Sequence, residues 1–94
     1  MILTFRDRET ERVWQGIRSR HLPDDVQKIG LRKLLYLNRA MKINDLREPP
    51  GNRLEPLRGK RQGQWSIRIN DQWRICFVWD EEGPSDVEIV DYHV

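Results

Sequence analysis

The sequence predicts an α+β fold, two N-terminal helices packed on a small twisted antiparallel sheet, and three observations carry the prediction. Apolar residues recur at helical spacing up to Met41, whereas from Trp65 onward they alternate with polar ones. Between the two patterns, residues 47–63 contain three Pro and three Gly, too many for long regular structure. At 94 residues the whole chain, 1–94, is expected to form one domain, since a length below about 150 rarely divides and supports one modest core.

Taken in order, "ILTF" at residues 2–5 is β-branched or aromatic and is expected to pair as one edge of the sheet. The stretch "DRETERVWQGIRS" opens with acids suited to a helix N-terminus. It sets Val13, Trp14 and Ile17 at helical spacing, which predicts a helix from Asp7 to about Ser19. A second helix is predicted from Pro23 to about Met41, antiparallel to the first. Pro23 suits a first turn, and Val26, Ile29, Leu34, Leu37 and Met41 trace the apolar stripe. The Pro- and Gly-rich loop that follows is expected to hold a short strand near Arg53 to Leu57. Loops of that length in small domains tend to be functional or disordered.

The remainder reads as a meander: "WSIRI", "WRICFVW" and "DVEIV" alternate, separated by turns at "NDQ" and "DEEGPS". A three-residue loop at Asn70, Asp71 and Gln72 pairs Ile69 with Trp73, Ile67 with Ile75 and Trp65 with Phe77. One face of the hairpin is then wholly apolar, whereas a two-residue loop would mix the faces. The same register sets Arg68 opposite Arg74 on the other face. Like charges in that position destabilise a strand pair, so either an anionic partner lies there or a nearby acid such as Asp71 or Glu88 neutralises them.

The charges are unevenly spread. Residues 1–46 carry ten Lys or Arg against six acids, residues 47–75 seven against three, and the last nineteen residues six acids with no Lys or Arg. Thirteen of the seventeen cations are Arg, whose planar fork suits phosphate, so nucleic acid is a favoured partner class; solvated helix surface explains many of those in the first 46. Cys76 is the single cysteine, which excludes an internal disulfide, and its mid-strand position in "RICF" points to a small buried thiol rather than a nucleophile. No stretch approaches the roughly 20 apolar residues of a membrane span, and "MILTF" is too short for the apolar part of a signal peptide. The expectation is a cytoplasmic protein without a membrane role.

Chemistry-bearing residues gather at two places. The tail "DYH" sets Asp91, Tyr92 and His93 at the end of the last strand, where His93 is the sole histidine of the sheet half. Imidazole titrates near neutral pH and can protonate a leaving alkoxide. Strand alternation puts Asp91 and His93 on one side and Tyr92 on the other unless the strand bends, and a frayed end carrying a buried Tyr explains the same residues. The loop contributes Arg53, Arg58, Lys60 and Arg61 flanking Glu55, without the glycine spacing of a phosphate-cradling loop. His21, Cys76 and His93 lack paired ligand spacing, so no metal site is expected.

The segment "PPGNRLEPLRGKRQGQWSIRINDQWRICFVW", followed by "DVEIVDYH", closely resembles the HigB host-killing toxins, a branch of the RelE-like toxins of bacterial toxin–antitoxin pairs. The resemblance runs from the N-terminal helices to the tail and is sharpest from Pro49 to His93. It implies a microbial-RNase-like fold and cleavage of messenger RNA in the ribosomal decoding site, without metal or other cofactor. The ribose 2'-hydroxyl attacks the adjacent phosphate, a base takes its proton, cations stabilise the phosphorane-like charge and an acid protonates the departing 5'-oxygen.

Carried over by position, the resemblance places Asp91, Tyr92 and His93 on the family's catalytic cluster and Arg74 on its sheet arginine. Glu55 stands where some members have His, and an unperturbed Glu, with a pKa of about 4.3, is a weak base at neutral pH. On this basis His93 is expected to act as general acid or base, Arg74 and Arg68 to stabilise phosphate, Tyr92 to orient or stack, and Asp91 to partner His93. Arg53, Arg58, Lys60 and Arg61 are expected to grip RNA backbone. The resemblance further implies a HigA-like antitoxin with a helix-turn-helix domain, through which alone operator DNA is bound. Two alternatives remain: a relative of the same fold that poisons DNA gyrase, and a non-catalytic RNA- or ribosome-binding module.

Overall fold

The computed structural model describes residues 1–92, so His93 and its predicted role lie outside the described residues. The first helix, α1, spans Arg8–Trp14 and is capped by Asp7, whose carboxylate accepts from the Thr10 amide at 3.3 Å. It stops at Trp14 rather than continuing to Ser19. Gly16 takes φ +78°, its amide donates to the Val13 carbonyl and the Ile17 amide donates to that of Arg12, the paired bonds of a Schellman end. Ile17 thereby leaves the stripe and is largely exposed.

The second helix, α2, spans Asp24–Arg39, with Pro23 at its cap and two acids in its first turn. Its inner face buries Val26, Gly30, Lys33, Leu34 and Leu37. Met41, expected on that stripe, is 87% exposed, because Ala40 adopts extended backbone and itself closes the buried row. A Cβ on Gly30 would lie 3.3 Å from Ile89 Cδ1 and 3.6 Å from Ile69 Cδ1, so the glycine lets the helix approach the sheet closely.

Three short 3-10 turns lie within 43–61, the first strand falling between the second and third, and the four strands run in the antiparallel order β1-β2-β3-β4: Glu55–Pro56, Gln64–Arg68, Trp73–Asp80 and Gly83–Asp91. The expected hairpin register is observed, with Trp65 opposite Phe77, Ile67 opposite Ile75 and Arg68 opposite Arg74. The Ile69 amide donates to the Trp73 carbonyl at 2.9 Å, closing the loop at Asn70–Gln72. Ile67, Ile75, Phe77, Val87 and Ile89 meet Val13, Val26, Leu34 and Leu37 in one core. Burying each such side chain stabilises the fold by about 1.5–3 kcal/mol before conformational entropy is charged against it.

The last turn is tighter than "DEEGPS" implies: Asp80 pairs with Gly83 and only Glu81 and Glu82 lie between them. The register then shifts between Cys76 and Val78, where Asp86, at φ +50°, and Val87 together oppose Phe77 as a β-bulge. The N-terminal segment does join the sheet edge, through a parallel bridge from Phe5 to Val87. Thr4 accepts the amides of both bulge residues, through its hydroxyl from Asp86 at 2.9 Å and its carbonyl from Val87 at 3.1 Å. The bulge and the first residues of the chain satisfy each other's backbone groups.

Candidate active site

Residues directly opposite across an antiparallel ladder share a face. With Glu55 opposite Ser66, Ser66 opposite Cys76 and Cys76 opposite Glu88, one row crosses all four strands on the side away from the helices. The next row on that face is Arg68, Arg74 and Val90. The sheet alternation that buries Ile67 and Ile75 therefore delivers Glu55, Arg68 and Arg74 together on the opposite surface.

Arg74 is the best-held of these groups, with a side chain only 12% exposed. Its Nε donates to Ser66 Oγ at 2.7 Å and its Nη2 to the Arg53 carbonyl at 2.6 Å, while Glu55 Oε1 lies 3.7 Å from Nη2. Burial lowers its pKa, opposed by the negative charge of Glu55, and an arginine remains cationic in such a setting. By leaning diagonally over Ser66, Arg74 avoids facing Arg68 head on. Arg68 turns instead to Asp71 in the hairpin loop, Nη2 to Oδ1 at 2.6 Å. Both arginines thus have a nearby carboxylate, which answers the like-charge problem within the chain and leaves Arg74 oriented.

Arg53 has a left-handed backbone, φ +44°, and is the residue whose carbonyl receives Arg74. That conformation costs a non-glycine residue roughly 1–2 kcal/mol. Arg61 donates to Glu88 Oε1 at 2.8 Å and to Gln64 Oε1 at 3.0 Å, and the Glu88 bond raises its pKa. It braces the row rather than projecting freely. Arg58 and Lys60 are exposed and make no ion pair among the described residues.

At the tail, the Tyr92 amide donates to the Gln72 carbonyl at 2.7 Å, extending the β3–β4 register past the end of β4. Alternation from Val90 puts Tyr92 on the arginine face, the side that carries Arg74 and Arg68. Asp91 pairs opposite Trp73 on the helix side of the sheet, where its Oδ2 accepts from Gln72 Nε2 at 3.1 Å. Tyr92, Arg74, Arg68 and Glu55 therefore share one surface, and Asp91 faces the other way. Cys76 lies fully buried beneath that surface with its thiol pushed up to about 11 by burial, the setting of an inert thiol.

Two contributors escape a reading of the sequence. Ser66, fully buried, holds Arg74; its place opposite Cys76 in the hairpin register is the signal that would have found it. The Arg53 carbonyl has no side-chain signature at all.

Over residues 3–93 the chain matches the family described as RelE-like toxin of type II toxin-antitoxin system HigB. It is 41% identical over 80 residues to Toxin HigB-1 of Vibrio cholerae serotype O1, covering 84% of each chain. It is 31% identical over 94 residues to Endoribonuclease HigB of Proteus vulgaris, covering 99% of this chain and all of that one.

Proposed function

We propose a reaction for this chain on the premise that it belongs to the HigB family of RelE-like toxins of type II toxin–antitoxin systems. It is an endoribonuclease that cuts messenger RNA, and the arginine face is where the scissile phosphate lies. The observation that supports this placement is the single surface shared by Arg74, Glu55, Arg68 and Tyr92, with Arg74 oriented from three sides.

The ribose 2'-hydroxyl attacks the neighbouring phosphorus, the bond from phosphorus to the 5'-oxygen breaks, and a 2',3'-cyclic phosphate and a 5'-hydroxyl result. Arg74, with Arg68 beside it, binds the phosphate oxygens as negative charge builds on them. Glu55 lies 3.7 Å from the Arg74 guanidinium and half exposed, placed to take the 2'-proton. His93, next in the chain after Tyr92, gives a proton to the 5'-oxygen, and Tyr92 orients the phosphate or stacks on a base, whereas Asp91, on the opposite face, takes no part. Arg53, Arg58 and Lys60 form the basic rim that follows the RNA backbone, while Arg61 stays paired with Glu88. The message is cut on the ribosome, where the decoding site supplies an extended single strand. The antitoxin partner is a HigA-like protein whose helix-turn-helix domain carries the pair to its operator.

The test is to add the protein to translating ribosomes and map new 5' ends. New ends bearing 5'-hydroxyls are expected, together with their loss in His93→Ala while the variant still sediments with ribosomes. Intact message accompanied by inhibited DNA supercoiling would instead identify gyrase as the target. A fully toxic His93→Ala would overturn the role given to that histidine.

A further inference from the structure

Lys33 is a lysine on the buried side of α2, 6% exposed and facing the sheet side of the molecule. Its Nζ donates to Asn52 Oδ1 at 2.6 Å and lies 5.9 Å above the Tyr36 ring. Among the described residues it makes no ion pair; burial lowers its pKa, and the charges of Arg32 and Arg68 lower it further. A buried ammonium without a carboxylate is costly, and an apolar side chain there would often be as stable or more so. Stability alone therefore does not account for Lys33.

Its one neutral acceptor leads to the arginine face. Asn52, fully buried, donates from Nδ2 to the Leu46 carbonyl at 3.1 Å and the Glu48 carbonyl at 3.2 Å, clamping the loop. The next residue is Arg53, held in the left-handed region, and its carbonyl accepts Arg74 Nη2. Glu55 follows on β1. Among the described residues, the one side chain of α2 that hydrogen-bonds to this loop is thus joined, through one buried amide and one peptide, to the group that orients Arg74.

We propose that Lys33 is a positioning residue for Arg74, acting through Asn52 and the left-handed turn at Arg53. Its importance for cleavage rests on the assignment of Arg74 to the scissile phosphate, whereas the mechanical link does not. Lys33→Met keeps the length and shape of the stem and removes the donor. Cleavage by this variant on ribosomes under single-turnover conditions is expected to fall roughly ten- to a hundredfold, the scale for misplacing a catalytic group by about 1 Å, with ribosome association retained.

The decisive readout is the Nε–Hε signal of Arg74 in nitrogen–proton NMR. In the wild type the Ser66 bond and burial protect it from solvent exchange. In Lys33→Met its exchange is expected to accelerate and its shift to move, while the Arg61 signal stays in place. Lys33→Gln, which retains a donor without the charge, is the companion variant should Lys33→Met fail to fold, and the same change in smaller degree is expected. An Arg74 signal unchanged in a folded variant, or a shifted signal with wild-type cleavage, would overturn the proposal. A wild-type protein unable to cut RNA would instead overturn the reaction assigned to the site, and the NMR comparison would still decide the link.

Discussion

The two faces of one sheet do different work here. On the helix side, Ile67, Ile75, Phe77 and Val87 are fully buried in one apolar cluster, so any deletion leaves a void. On the other side Ser66 and Cys76 are equally buried, yet above them stand Glu55, Arg74, Arg68 and Tyr92, and the two arginines are oriented by hydrogen bonds. A period of two residues is enough to separate stability from chemistry along the same strands. Damage on the first face should appear as unfolding, and damage on the second as lost activity in a folded protein.

Phe77→Ala should show the largest effect, a loss of about 3–5 kcal/mol that consumes most of the stability of a domain this small, read by denaturant titration. Gly83→Ala comes next. At φ +132° a Cβ would lie 2.8 Å from the Met1 carbonyl oxygen, so the variant should lose roughly 1–3 kcal/mol and loosen the N-terminal segment, with β4 amides near Pro84 exchanging faster.

Arg68→Ala should sharpen the contrast, since its pair with the fully exposed Asp71 contributes little to folding. Cleavage is expected to fall about tenfold, worth about 1.4 kcal/mol in the barrier, at nearly unchanged melting temperature. Asp71 tests the same pair through pH. Arg68 holds its carboxyl below the ordinary value of 3.8, so the folded pKa is depressed. Its contribution is present above 3.8 and is lost as pH falls through the folded value, so Asp71→Asn should differ from wild type at neutral pH and converge with it in acid. Smallest of all, Cys76→Ala should leave cleavage intact, and the native thiol should resist alkylation at neutral pH, as its upward shift to about 11 requires.

Much of this architecture is legible in the sequence, for identifiable reasons. The Arg68–Arg74 pairing is readable because only one loop length gives "WSIRI" and "WRICF" a uniformly apolar face. The end of α1 is not, since Gly16 is compatible with a helix interior until the paired amide bonds at Val13 and Arg12 are seen. The partnership of Thr4 with Asp86 is equally hidden, because it depends on a bulge and on contacts 82 residues apart. At the site, Arg74 can be picked out by register and Tyr92 only through the family resemblance, whereas Ser66 and the Arg53 carbonyl are ordinary groups that hold Arg74 by position. Lys33 passes for solvated surface by type alone. Its spacing from Val26, Gly30 and Leu37 places it on the inner face, a signal that charge obscures.

The most direct test of Arg74 as the phosphate-binding centre of an RNA-cutting face is Arg74→Ala assayed on translating ribosomes, with its melting temperature measured in parallel. Cleavage should fall roughly a hundred- to a thousandfold, as when a charge-stabilising donor is removed from an active site, in a protein that remains folded and still sediments with ribosomes. Wild-type cleavage by the folded variant would contradict it.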